Sequence, residues 1–269
     1  MSTVILINIS PTTREKMMDS PKYIIYEFQQ FVLMIRETIL KLPKVKNCLR
    51  EVVEQMDYIG IGSLGIILST GFFMGLVLAL QASVEMSHIG AILMVGRPVA
   101  TSVVLELGPV FVAIMVAARS GSAMAAELAS MVITEQIDAL KVEGGDPILD
   151  LVVPRFVACS IVIPFLTIIG SVAALLGGHV IAIFYLKISP YYYWNSVFDV
   201  LTPAFLWGGL IKSFVFAIAI ALIGCFSGLS TRMGAKGLGA ATTRAVVLSS
   251  ISILGLDFLM TRILIGRWW

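Results

Sequence analysis

Of the 269 residues, 58% are apolar and 13% charged, with a formal net charge of +2; the mean hydropathy is +0.95. A soluble domain sits nearer half apolar and a quarter charged, so the polar residues here are too few to coat a globule of this size. The surface must be solvated largely by lipid, and the small net charge points to no nucleic-acid partner. Cys48, Cys159 and Cys225 are far apart and give neither a disulfide framework nor metal-ligand spacing.

Residues 1–20 read as an N-terminal tail. Their one apolar stretch, Val4 to Ile9, is too short for the core of a signal peptide, and Glu15 and Asp19 argue against a transit peptide. The first true span is therefore expected to act as its own insertion signal. Residues 21–55 form a distinct block in which Tyr23, Phe28, Phe31, Val32, Ile35 and Ile39 recur near helical spacing between Glu27, Gln30, Arg36 and Lys41. That pattern predicts an amphipathic helix in the membrane interface or on the bundle flank, ended by Pro43.

The remainder, 56–269, holds the apolar runs. Tyr58 to Val84 and Phe156 to Leu186 contain no Asp, Glu, Lys or Arg. A hydrocarbon core of about 30 Å needs roughly 20 helical residues, so each run can cross with some excess. Spans are predicted at about 56–84, 98–118, 150–180, 200–228 and 243–265. The runs are continuous rather than alternating, which excludes a β-barrel. The expected fold is an all-α integral membrane protein of about five transmembrane helices. Fourteen Lys and Arg residues fall in residues 1–55, 119–155 and 229–244, against four on the other side. This bias places the N-terminus in the cytoplasm. Gly71 with Gly75, and Gly224 with Gly228, form G-x-x-x-G spacings that suit close helix contact, although such glycines are common in membrane helices. No internal repeat of the kind found in inverted-repeat carriers is evident.

The segment 119–155 is too patterned for a linker. From Ala123 to Val142 it contains no Pro or Gly and is dominated by good helix formers, so one cytoplasmic helix is expected at about 123–142 between spans two and three. Ile137 and Leu140 fall within about 40° of Ile133 around the helix, while Thr134, Glu135, Asp138 and Lys141 occupy the other face. Such a helix either lies on the membrane surface or docks into a soluble partner and carries force into the bundle.

Charges inside the spans are few. Glu106 lies in span two, Lys212 in span four, Asp257 in span five, and Gln81 near the outer end of span one. A charge at the bilayer centre costs on the order of 2.5–3.5 kcal/mol on insertion scales, so these groups should face protein or a cavity. Either Glu106 and Lys212 form an ion pair that only fixes helix register, or Gln81, Glu106, Lys212 and Asp257 line a translocation cavity. A gradient-driven carrier or channel could use the same charges as a relay. No H-E-x-x-H, no G-x-S-x-G and no G-x-x-x-x-G-K-[ST] is present, so neither catalysis nor a P-loop is expected. His88 is expected in a loop near the outer interface and His179 as a satisfied polar group at a helix end.

The stretches Glu106-Leu-Gly-Pro, Ala117-Ala-Arg-Ser-Gly-Ser-Ala, Ala126-Glu-Leu, Thr134-Glu-Gln-Ile-Asp-Ala-Leu, Asp146-Pro, Pro154-Arg, Ile211-Lys-Ser-Phe-Val-Phe, Ala241-Thr-Thr-Arg-Ala-Val-Val and Leu254-Gly-Leu-Asp occur in order over about 56–265. Together they resemble the MlaE family of ABC transporter permeases. The resemblance implies phospholipid traffic between an inner and an outer membrane, a permease homodimer, cytoplasmic ABC ATPase subunits and an MCE-domain protein on the outer side. It implies no cofactor on this chain, with ATP and magnesium bound by the partner ATPase. It also implies that Glu127, Thr134, Glu135, Gln136, Asp138 and Leu140 couple the chain to that ATPase. The location implied is a bacterial inner membrane or, alternatively, a plastid inner envelope.

Overall fold

The computed structural model describes residues 21–231 and 234–268, and the reading of the 1–20 tail lies outside them. Every element in that range is helical. The first helix, α1 (Pro21–Lys41), stops just short of Leu42-Pro43, because the residue before a proline disfavours the helical region. A 3₁₀ segment, Leu42–Cys48, leads directly into α2 (Leu49–His88). Residues 49–55, read above as the end of the interfacial block, thus already belong to the first long helix.

Among the described residues five helices are long and apolar enough to cross a membrane: α2, α3 (Ile92–Ile133), α5 (Ile148–Phe184), α7 (Pro203–Leu229) and the Lys236–Leu264 part of α8 (Ala235–Trp268). Two short helices, α4 (Gln136–Val142) and α6 (Pro190–Phe198), sit in the connections. His88 is the exposed last residue of α2. His179 lies in α5 with its ring 5.6 Å from that of Tyr193 and 5.4 Å from that of Trp194. Its Nδ1 is buried without a hydrogen-bond partner, so it is not the satisfied polar group the sequence suggested.

Apolar side chains gain nothing by leaving lipid for one another, so packing in a bilayer rests on close backbone approach. The α2–α5 pair shows this directly. Ile59, Ser63, Ile67, Gly71, Gly75, Ala79 and Ser83 recur every fourth residue along the buried stripe of α2. A Cβ at Gly71 would lie 2.7 Å from the Gly170 carbonyl oxygen, and one at Gly75 would overlap the Ala174 carbonyl. The second glycine pair meets α3, with a Cβ at Gly228 placed 2.8 Å from the Ala125 carbonyl oxygen and one at Gly224 3.3 Å from that of Gly121. Both G-x-x-x-G spacings therefore mark helix contacts. Around them Ile59, Val116, Ile163, Phe216 and Ile220 form the central core.

Helix α3 is not a uniform α-helix. Pro109 cannot donate a backbone hydrogen bond, and the ladder widens into a π turn at Val103–Leu107, closed by the Gly108 N–H donating to the Val103 carbonyl. A second π turn spans Ala117–Gly121 and a third, Ile148–Val152, precedes Pro154 in α5. The first two carry Glu106 and Arg119.

The single cytoplasmic helix expected at 123–142 is two pieces. Residues Ser122–Ile133 continue α3, and the chain then breaks at Thr134–Glu135, where Glu135 takes the left-handed conformation with φ 57°. Three β-branched residues in succession, Val132, Ile133 and Thr134, weaken the ladder there. The Thr134 hydroxyl donates back to the Ser130 carbonyl at 2.9 Å. The α4 helix restarts beyond the kink, with the Asp138 and Ala139 N–H groups donating to the Glu135 carbonyl.

Gly75 and Gly65 give a matched test of the packing. Gly75→Val must displace the Ala174 backbone, whereas a Cβ at Gly65 meets nothing within 4 Å. Overpacking of this kind costs about 1–3 kcal/mol or more. Thermal unfolding in detergent should show a lowered midpoint for Gly75→Val and an unchanged one for Gly65→Ala.

Candidate functional site

An ammonium group in an apolar interior must have all three N–H donors satisfied, or its burial is prohibitive. Lys212 meets that requirement. Its side chain is fully buried, and its Nζ donates to Glu106 Oε2 at 2.5 Å, to Asp257 Oδ1 at 3.1 Å and to Thr261 Oγ1 at 2.6 Å. The Thr261 hydroxyl in turn reaches Glu106 Oε2 at 3.2 Å. One lysine on α7 thus ties the π turn of α3 to α8.

The cluster lies deep in the apolar zone. Ser213, next to Lys212, hydrogen-bonds Thr167 at 2.6 Å. Thr167 is eleven residues into the charge-free run of α5 that begins at Phe156, about 16 Å along a helix rising 1.5 Å per residue. The carboxylates are not sealed in. The Glu106 side chain is 32% exposed and that of Asp257 22%, against 0% for Lys212. Two formal negative charges therefore face one positive charge, and their free edges open beside α8, the least buried of the five long helices.

Of the four residues read as a cavity lining, Glu106, Lys212 and Asp257 come together and Gln81 does not. Gln81 is exposed on α2 and makes none of the cluster's contacts. Thr261, which completes the coordination of Lys212, was missed. Its signal was available, because Thr261 is one helical turn beyond Asp257 and so shares its face.

The second candidate set occupies the other end of the molecule. Thr134, Glu135, Gln136 and Asp138 are exposed around the kink and α4, while Ile137 is buried and Leu140 half-buried. The α4 helix thus rests on the bundle by its apolar side and presents its polar side outward, with Lys141 pairing Asp138 at 2.8 Å. Ile133, placed above on the apolar face of the same helix, belongs instead to the end of α3. Glu127 is also on α3, not on α4. Its carboxylate binds Arg155 at 2.7 Å, where the Arg155 side chain is only 5% exposed. That pair joins the end of α3 to the start of α5.

Helix α1 straps this end together. The Arg244 guanidinium binds Glu27 in a two-pronged contact at 3.1 and 2.8 Å, and Lys41 binds Asp146 at 2.6 Å. Phe31 packs edge-on against Phe226 at 5.2 Å. Asp146 lies four residues past the end of α4 and accepts from the Ile148 N–H at 3.1 Å, so α1 is fastened to the segment that carries α4 into α5.

The family model described as Permease MlaE matches residues 52–263. The chain belongs to the MlaE permease family. It is 40% identical over 236 residues to a probable ABC transporter permease protein of Rickettsia prowazekii, covering 88% of this chain and 90% of that one. It is 34% identical over 234 residues to the intermembrane phospholipid transport system permease protein MlaE of Haemophilus influenzae, covering 87% and 90%. It is likewise 34% identical over 242 residues to the chloroplastic protein TRIGALACTOSYLDIACYLGLYCEROL 1 of Arabidopsis thaliana, covering 90% and 69%. Both the buried cluster and α4 fall within the matched region.

Removing the lysine and removing a carboxylate should differ. Lys212→Met leaves Glu106 and Asp257 facing each other without a counter-charge, and breaking a buried pair this way costs about 3–5 kcal/mol. Asp257→Asn keeps an oxygen for Lys212 and leaves Glu106 as its counter-ion. Thermal unfolding in detergent should place Lys212→Met well below wild type, with Asp257→Asn between the two.

Proposed function

We propose that this chain is the membrane-spanning permease subunit of an ABC transporter that moves phospholipid between an inner and an outer membrane. It is not itself an enzyme. ATP and magnesium are bound by separate cytoplasmic ATPase subunits, the permease works as a homodimer, and an MCE-domain protein meets it on the outer side. The location is the bacterial inner membrane with a cytoplasmic N-terminus, the plastid inner envelope being the alternative. The names carried by the Haemophilus influenzae and Rickettsia prowazekii relatives support this reading.

The observation that carries it is the half-open carboxylate edge of the Lys212 cluster deep in the apolar zone. A lipid path needs apolar walls for the chains and a polar patch for the headgroup, and the exposed flank of α8 with Glu106 and Asp257 supplies both. Neutralising Glu106 and Lys212 together should abolish complementation of an outer-membrane barrier defect while the protein still inserts. Full complementation by the double variant would overturn the role of the cluster.

The coupling surface has its own test. The exposed acids Glu135 and Asp138 stand on a helix held to the bundle by Ile137. Reversing both charges should weaken co-purification of the ATPase without changing the amount of chain in the membrane. A gradient-driven carrier built on the same charges would instead transport as the chain alone, with no stoichiometric ATPase.

A further inference from the structure

We infer that Arg119 holds the phosphate of a phospholipid against α2, at a place separate from the Lys212 cluster. Arg119 lies on the second π turn of α3 and extends across α2. Its Nη1 donates to the Tyr58 carbonyl at 3.2 Å, to Ser63 Oγ at 3.1 Å and to Ser120 Oγ at 3.4 Å. The guanidinium also stacks over the Tyr58 ring, 5.4 Å from its centroid. Gly62 makes this possible, because a Cβ there would lie 2.8 Å from Arg119 Cζ and overlap Nη2. The cation is therefore seated on a surface shaped to receive it.

Every acceptor it meets is neutral. Among the described residues Nε and Nη2 have no acceptor, and none supplies a carboxylate within ion-pair distance of Arg119. The other half-buried or buried cations in the described helices contrast with it. Lys41, Lys141, Arg155, Lys212 and Arg244 each have a carboxylate at 3.1 Å or less. An arginine has five donors in a planar fork that matches phosphate, and it cannot lose its charge.

Depth decides which anion can be there. Tyr58 is the first residue of the charge-free run of α2, directly after Glu51, Glu54 and Asp57, so the guanidinium sits where the helix enters the apolar zone. Tyr58, Ile61 and Gly62 are exposed, and Ile61 is 68% exposed. A charged side chain at such a boundary turns its head to the headgroup layer. The abundant anion in that layer is the lipid phosphate. The three acids lie on the aqueous side of it and leave the fork free. The Lys212 cluster, by contrast, is reached from α3 by Glu106, thirteen residues before Arg119 and about 20 Å along the helix, so the two sites lie at different depths.

The inference rests on the membrane placement of the chain and not on its transport of lipid, and the experiment separates the two. The full chain, purified with any subunits that accompany it, is placed in a bilayer of phosphate-free galactolipid doped with a minor fraction of phosphatidylglycerol. A photoreactive residue at Ile61 should capture phosphatidylglycerol several-fold above its share in the bilayer. Arg119→Gln should reduce capture to the bulk share, Arg119→Lys should restore part of the excess, and Glu106→Gln should leave it intact. Capture at the bulk share with Arg119 present would overturn the inference. So would loss of the excess on adding inorganic phosphate, which would assign the site to a soluble anion. Loss of lipid transport in Glu106→Gln with capture retained would leave both readings standing, while retained transport in the Glu106 and Lys212 double variant would sink the transport role alone.

Discussion

A single ammonium group sets the terms for this fold. With no water to fall back on, Lys212 must find three acceptors inside the protein, and it finds them on two other helices. Apolar packing cannot do this work alone, because lipid solvates an isolated leucine-rich helix as well as a neighbouring helix does. The consequence is clearest for α8, whose long apolar stretch buries few of its residues. Asp257 and Thr261 fix both its rotation and its height against α7. The remaining freedom of the cluster lies in its charge imbalance, since two carboxylates share one lysine and keep one side open.

The bundle divides into a stiff part and a compliant part. The α2–α5 pair is held by backbone against backbone at a four-residue repeat, with glycines where any side chain would intrude. Such an interface has one register and little tolerance. Helix α3 is built differently, interrupted by π turns at Val103–Leu107 and Ala117–Gly121. A π turn trades ladder regularity for a widened coil, and here each one carries a charged side chain that reaches a different neighbour. Glu106 reaches α7 and α8, and Arg119 reaches α2. The polar chemistry of the chain is thus concentrated on its least regular long helix.

Much of this was legible in the residue order. Charge-free runs longer than a bilayer is thick have few alternatives to spanning helices, and the rare ionisable groups within them had to seek partners. Glu106, Lys212 and Asp257 could therefore be singled out from the sequence, with a Glu106–Lys212 pair as one alternative, but not that Asp257 and Thr261 would join it on the same ammonium. The break at Glu135 was hidden because 123–133 and 136–142 share one helix-favouring composition, and a left-handed glutamate carries no signature of its own. Gln81 was grouped with the cluster on polarity alone, which says nothing about rotation around α2. Arg119 opens a charged segment in the sequence, and nothing in it points to Tyr58 and Ser63, which lie 61 and 56 residues away.

The two ends of α1 link α8 to the segment that follows α4. At one end Lys41 holds Asp146, which leads out of α4 and caps the start of α5. At the other, Glu27 grips Arg244 on α8 with both oxygens, and the Arg244 guanidinium lies over the Phe226 ring of α7. The same α8 carries Asp257 and Thr261 to Lys212 thirteen and seventeen residues later in the chain, about 20 and 25 Å along the helix. Two lines of contact therefore join α4 to the buried cluster. One runs up α3, braced to α5 by the Glu127–Arg155 pair. The other runs across α1 and up α8. Because both routes end on the same lysine, a relative displacement of α3 and α8 cannot be absorbed without changing the acceptors of Lys212.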